Sequence, residues 1–118
     1  MSKVFVIWND AIWTNIENVL DEKTTQKKAG VIISKIASCQ PAYAEGFIMA
    51  AKRMKTGGLI TRIVGIEILE NIASCILKKF GDTIKNNIVS ALTKYKDYKP
   101  NKLENSDLIN ELIQKYST

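Results

Sequence analysis

The chain has 118 residues, with 17 Lys+Arg against 12 Asp+Glu for a formal charge of +5, two cysteines and no histidine. That length suits one domain with one core, and 46% hydrophobic with 25% charged residues fits a folded globular chain rather than a disordered or fibrous one. The missing histidine removes the usual general base at neutral pH, the Ser-His-Asp and Cys-His arrangements and nearly all zinc sites, so composition argues against catalysis.

Pro41, Gly57-Gly58, Gly81 and Pro100 punctuate the chain, and the intervals between them carry helical spacing. In the first interval Val4, Trp8, Ala11, Ile16 and Val19 predict a helix over 3–22 with Trp8 inward and Trp13 off the stripe as a candidate partner anchor. A rival reading makes Val4–Trp8 a strand and starts the helix after Asn9 or Asp10, either a good N-cap. A second helix should follow Thr24 or Thr25 and reach Cys39, burying Ala29, Ile32, Ile33, Ile36 and Ala37. Pro41 suits the first turn of a third helix presenting Tyr43, Phe47, Ala50, Ala51 and Met54 on one face and ending at Gly57-Gly58. A fourth helix is expected from about Ile60 to Lys79 with Ile68, Leu69, Ile72, Ala73 and Ile76 inward, Gly81 as its C-cap and Asp82 as the next N-cap. The fifth carries Ile84, Ile88, Ala91, Leu92 and Tyr95. Residues 96–105 read as a loop, and Ser106 caps a last helix with Leu108, Leu112 and Tyr116 inward.

The apolar run Val4–Trp8 is too short for a signal-peptide core, and no apolar stretch approaches the length of a membrane span. Cys39 and Cys75 make no disulfide framework. An intracellular location, with no membrane contact, is the expectation.

Ile36-Ala37-Ser38-Cys39 returns as Ile72-Ala73-Ser74-Cys75, and at the same offset Thr25 matches Thr61 and Ile32 matches Ile68. A period in the mid-thirties built from helix pairs signals stacked hairpins, because one hairpin leaves an apolar face that the next one covers. The stretches 25–39 and 61–75, each followed by an amphipathic helix, resemble the first helices of the HEAT and armadillo α-helical repeats. Neither copy carries the family's full set of an early proline with an inter-repeat aspartate and arginine. The resemblance implies an all-α fold of about six helices: a right-handed α-α superhelix of two HEAT-like hairpins between capping helices. A compact six-helix bundle is the alternative. Residues 1–118 then form one domain, with a capping helix at 3–22, repeats at 24–56 and 59–96, and a capping helix at 103–118.

No catalytic constellation, metal site or cofactor motif emerges. Glu67 and Glu70 lie one helical turn apart, a spacing common on solvated faces. Gly57-Gly58 lacks the Gly-Lys-Ser/Thr continuation of a phosphate loop. Charge is distributed unevenly. Residues 1–22 carry one Lys against four acids, residues 23–102 carry 15 basic against five acidic side chains, and residues 103–118 carry one Lys against three acids.

In a HEAT-like stack the second helices lie side by side and line one surface. That places Ile48, Met49, Lys52 and Lys55 of the third helix beside Lys85, Asn86 and Val89 of the fifth, ending at Lys96: an apolar floor with basic edges. The expectation is a non-enzymatic interaction module that binds a peptide, a helix or another copy of itself on this ridge, with no cofactor. The alternative is nucleic-acid binding through the basic middle, using Arg53, Lys94, Lys99 and Lys102 with interleaved Tyr95 and Tyr98.

Overall fold

The computed structural model describes residues 6–98 and 106–117. Its helices are α1 (Asp10–Leu20), α2 (Gln26–Ala37), α3 (Pro41–Thr56), α4 (Ile66–Phe80), α5 (Lys85–Tyr98) and α6 (Ser106–Ser117), with a 3-10 turn at Asp82–Ile84 leading into α5. Among the described residues there is no strand, and no helix is long and apolar enough to cross a membrane. The fold is all-α.

Capping chemistry fixes most boundaries. Asn9 is extended (φ −148°, ψ 169°), and its side chain accepts a hydrogen bond from the Ile12 amide at 3.1 Å, so α1 begins at Asp10 rather than near residue 3. This moves the buried stripe: Ile12, Ile16 and Val19 are enclosed, and Ala11 is exposed. Thr25 caps α2 in the same way through the Lys28 amide. Pro41 is at the first turn of α3.

Three helices stop on a left-handed residue. After α1 the Glu22 φ is 61°, the Glu22 amide donates to the Val19 carbonyl, and the Lys23 amide donates back to Asn18 at 2.8 Å. Ser38 (φ 55°) and Gly57 (φ 79°) end α2 and α3 with the same wrap-back, from Cys39 to Ser34 and from Gly58 to Arg53. The two copies of the sequence repeat therefore differ in local structure. In the first copy Ser38-Cys39 lies beyond the helix, since Gln40 before Pro41 is pushed to extended geometry (φ −69°, ψ 143°). In the second, Ser74-Cys75 sits inside α4, which runs on to Phe80.

The start of α4 also differs from expectation. Residues 60–66 hold five β-branched side chains among Ile60, Thr61, Arg62, Ile63, Val64, Gly65 and Ile66, a poor helix-former run. The chain instead crosses over in irregular conformation with Ile60 and Val64 buried. Tyr95 on α5 pins this crossover: its hydroxyl donates to the Val64 carbonyl and accepts from the Val64 amide, both at 3.3 Å.

Helix α3 is central, packed against α1, α2, α4 and α5; α6 packs on α5 and more lightly on α4. Phe47, Ile48, Ala50, Ala51 and Met54 are fully enclosed, with Ala44. At Gly30 on α2 an added Cβ would meet Glu45 Cγ at 2.6 Å, so glycine permits the close approach of α2 to α3. Beside it, Lys52 Nζ donates to Gln26 Oε1 and Gln26 Nε2 donates to Glu45 Oε1, each at 3.0 Å. Lys79 ties α4 to α1 through Glu17 at 3.0 Å and Asp21 at 3.1 Å.

Two faces are rotated from their expected positions. On α2, Gly30 and Ser34 are buried with Ala29, Ile33 and Ala37, Ile36 is half-buried, and Ile32 is 46% exposed. On α6, Ile109, Leu112 and Tyr116 face inward while Leu108 is exposed. Ile48→Ala is expected to cost about 2–5 kcal/mol as a core truncation, and Ile32→Ala less than about 0.5 kcal/mol as a surface change. Urea titration followed by circular dichroism checks this; equal costs would contradict the packing.

Alkaline pH tests the burial of Tyr95. Burial raises the Tyr95 hydroxyl above its ordinary value, opposed by its bond to Val64, and burial likewise raises Tyr116. Hydrogen bonds to Glu17 and Asp21 raise Lys79. All three hold their protons more tightly in the folded chain than in the unfolded one. The stability they contribute is complete below about pH 10 and is lost as pH rises through the raised folded values. The urea midpoint should stay flat to about pH 9 and fall above about pH 10, and Tyr95→Phe should shrink that fall. An unchanged alkaline slope in Tyr95→Phe would count against burial of that hydroxyl as its source.

Candidate functional site

The expected ridge is not assembled as one surface. Ile48 is fully buried and cannot line it, because α3 is covered by four neighbouring helices. Met49 is half-buried, and Lys52 is committed to Gln26 across the α2–α3 contact. Lys55 is exposed, with Nζ 5.3 Å from the Phe80 ring centroid. Lys85 is half-buried with Asp82 3.9 Å away, Asn86 is exposed, Val89 packs against the core, and Lys96 is half-buried.

The neighbouring row on α5 has a structural task. The carbonyls at the C-terminus of α3 need donors. Asn87 Nδ2 donates to the Lys55 carbonyl at 2.8 Å, and Ser90 Oγ and Lys94 Nζ both donate to the Gly57 carbonyl, at 3.0 and 2.9 Å. Lys94 is thus engaged by α3. Arg53 is half-buried, with Nε enclosed against the Gly57-Gly58 turn. Lys99 and Lys102 lie outside the described residues. Trp8 and Trp13 are half-buried and pack against the core. Cys39 and Cys75 are free, half-buried thiols, and burial raises the pKa of both, which disfavours the reactive thiolate.

Two other surfaces stand out. The first is a groove of about 380 Å³ between α4 and α6, lined by Ile66, Glu67, Glu70, Leu108, Glu111, Leu112 and Lys115. Ile66, Leu108 and Leu112 make its apolar floor, and three carboxylates against one ammonium leave its rim with two net negative charges. Lys115 Nζ is 3.5 Å from Glu70 Oε2 across the groove. Leu108 is 47% exposed there, a large apolar side chain left in water beside carboxylates.

The second is the outer face of α2. Lys28, Val31, Ile32 and Lys35 recur at helical spacing, with Lys27 beside them, and all five are exposed. Val31 is 40% and Ile32 46% exposed. Apolar spacing alone turns Ile32 and Leu108 inward, which hides both surfaces in the sequence. Small buried residues such as Gly30 and Ser34 give no hydrophobic signal to correct it. The Glu67/Glu70 spacing was visible, but its partner Glu111 becomes adjacent only when α6 folds back onto α4.

No protein-family model, curated protein or solved structure gives a significant match to this chain.

The roles of the lysines separate by stability. Lys94→Ala should cost about 0.5–1.5 kcal/mol by leaving a helix-end carbonyl short of a donor, whereas Lys28→Ala should stay within about 0.5 kcal/mol. Denaturation midpoints measure both; a neutral Lys94→Ala would release that side chain for a ligand role.

Proposed function

We propose that this chain is a non-enzymatic protein-binding module whose α4/α6 groove takes a basic amphipathic helix or peptide. The observation that carries the reading is the groove itself, with an apolar floor at Ile66, Leu108 and Leu112 beneath Glu67, Glu70 and Glu111. An amphipathic helix seats its apolar side chains in such a floor and its lysines against the rim. The reading moves the binding face away from the ridge of the second helices, since Ile48 is buried and Lys52 is bonded to Gln26. The absence of histidine from the sequence supports a non-catalytic role.

Affinity with the HEAT and armadillo repeats belongs to the same proposal. It draws on the 36-residue internal repeat and on α3 packing along α5, as the second helices of successive hairpins do. Helices α2 and α4, the first helices of the two copies, are not among the closely packed pairs of the described residues. That feature favours a bundle with repeat ancestry over an open stack.

Three probes test the reading by fluorescence anisotropy: a labelled Lys–Leu amphipathic helical peptide, its Glu–Leu counterpart and a mixed-sequence DNA duplex. The Lys–Leu peptide should bind and the Glu–Leu peptide should not, and the double variant Glu67→Lys with Glu111→Lys should weaken binding at least about tenfold. Equal binding of both peptides, or of neither, would falsify the groove as the site. Strong duplex binding that falls steeply with salt would instead carry the function to nucleic acid.

A further inference from the structure

We infer that the occupant of the α4/α6 groove is the α2 face of a second copy of this chain, so that copies associate head to tail. The inference rests on the groove reading above and adds the identity of the partner. Charge complementarity carries it. The groove has an apolar floor between carboxylates, and the α2 face has an apolar centre, Val31 and Ile32, between Lys28 and Lys35. Those four positions follow one helical stripe, i, i+3, i+4 and i+7, which is the pattern a groove reads from a docked helix. The stripe spans about 10 Å along α2, at about 1.5 Å per residue.

The two surfaces are available to each other only between molecules. Within one chain α2 packs on α1 and α3, α6 packs on α5 and α4, and α2 and α6 are not among the closely packed pairs. Lys27, Lys28 and Lys35 on one side, and Glu67 and Glu111 on the other, form no ion pair among the described residues. Each surface is therefore an apolar patch with unspent charge of the opposite sign to its counterpart. Because the patches differ, a copy that uses its groove still offers its α2 face unless two copies pair reciprocally, so association closes as a two-fold dimer or a larger ring, or continues as an open chain. Ion pairs at the rim make this association weaker as salt rises.

Sedimentation at increasing protein concentration and low salt reads the outcome. The weight-average mass should rise above the 13.2 kDa of one chain and return towards it when salt is added. Lys28→Glu with Lys35→Glu, and separately Glu67→Lys with Glu111→Lys, should each lower the association constant at least about tenfold; circular dichroism confirms that both stay helical. Ile32→Ser, which changes no charge, should weaken association as well. An equimolar mixture of the two charge-reversed variants should associate again, since each carries the surface that complements the other's. A wild-type chain that stays at one-chain mass throughout overturns the inference, as does association that survives either reversal or a mixture that fails to recover. If the wild type stays monomeric while the Lys–Leu peptide still binds the groove, the second copy is excluded and the protein-binding reading stands. If the peptide fails too, both fall together.

Discussion

Helix α3 has to be hidden on most of its circumference, and the arrangement of the other helices follows from that demand. A helix at a protein surface buries one stripe and leaves the rest in water. Here Ala44, Phe47, Ile48, Ala50, Ala51 and Met54 are all fully enclosed, and α1, α2, α4 and α5 gather around them. The end of α3 adds a second requirement, because its last carbonyls have no partner within the helix. Asn87, Ser90 and Lys94 meet it from α5. On its other flank, the Glu45–Gln26–Lys52 chain of hydrogen bonds lets polar side chains sit at the α2–α3 contact beside Gly30.

Much of this was legible in the sequence where aliphatic spacing was regular. Ile84, Ile88, Ala91, Leu92 and Tyr95 on α5, and Ile68, Leu69, Ile72, Ala73 and Ile76 on α4, are all buried as their periodicity implied. Pro41 and Gly57 bound α3 as their backbone chemistry requires. Periodicity reports that a helix has an apolar side; it does not report how wide the covered side is. Spacing therefore places Ile48 on the surface of a helix that four others enclose, and Ile32 in the core of a helix whose neighbours accept Gly30 and Ser34 instead. The late start of α4 is written in the β-branched run 60–64, a propensity that apolar spacing alone does not register. The groove is not legible in the sequence, since Glu67 and Glu111 come to line one surface only through tertiary packing.

The positive charge of the middle of the chain also changes character once folded. It is divided among separate tasks: Lys52 bridges α2 and α3, Lys79 joins α4 to α1, and Lys94 closes the end of α3. Lys27, Lys28 and Lys35, gathered on one exposed face of α2, form a local charge that faces solvent beside Val31 and Ile32. The acidic counterpart is split between α4 and α6, so neither half of the chain carries the groove alone.

The left-handed turn at Ser38 bears on how such a molecule can grow. A solenoid lengthens within one gene when every unit ends in the same way, so that a copied unit can be spliced onto the last. Here the first copy stops at Ser38 and turns straight into α3, whereas the second runs through Cys75 to Phe80. The two units do not end alike, and a duplicated segment would meet a neighbour of the wrong length. Lengthening the architecture by copying one unit would therefore require a new turn at the junction.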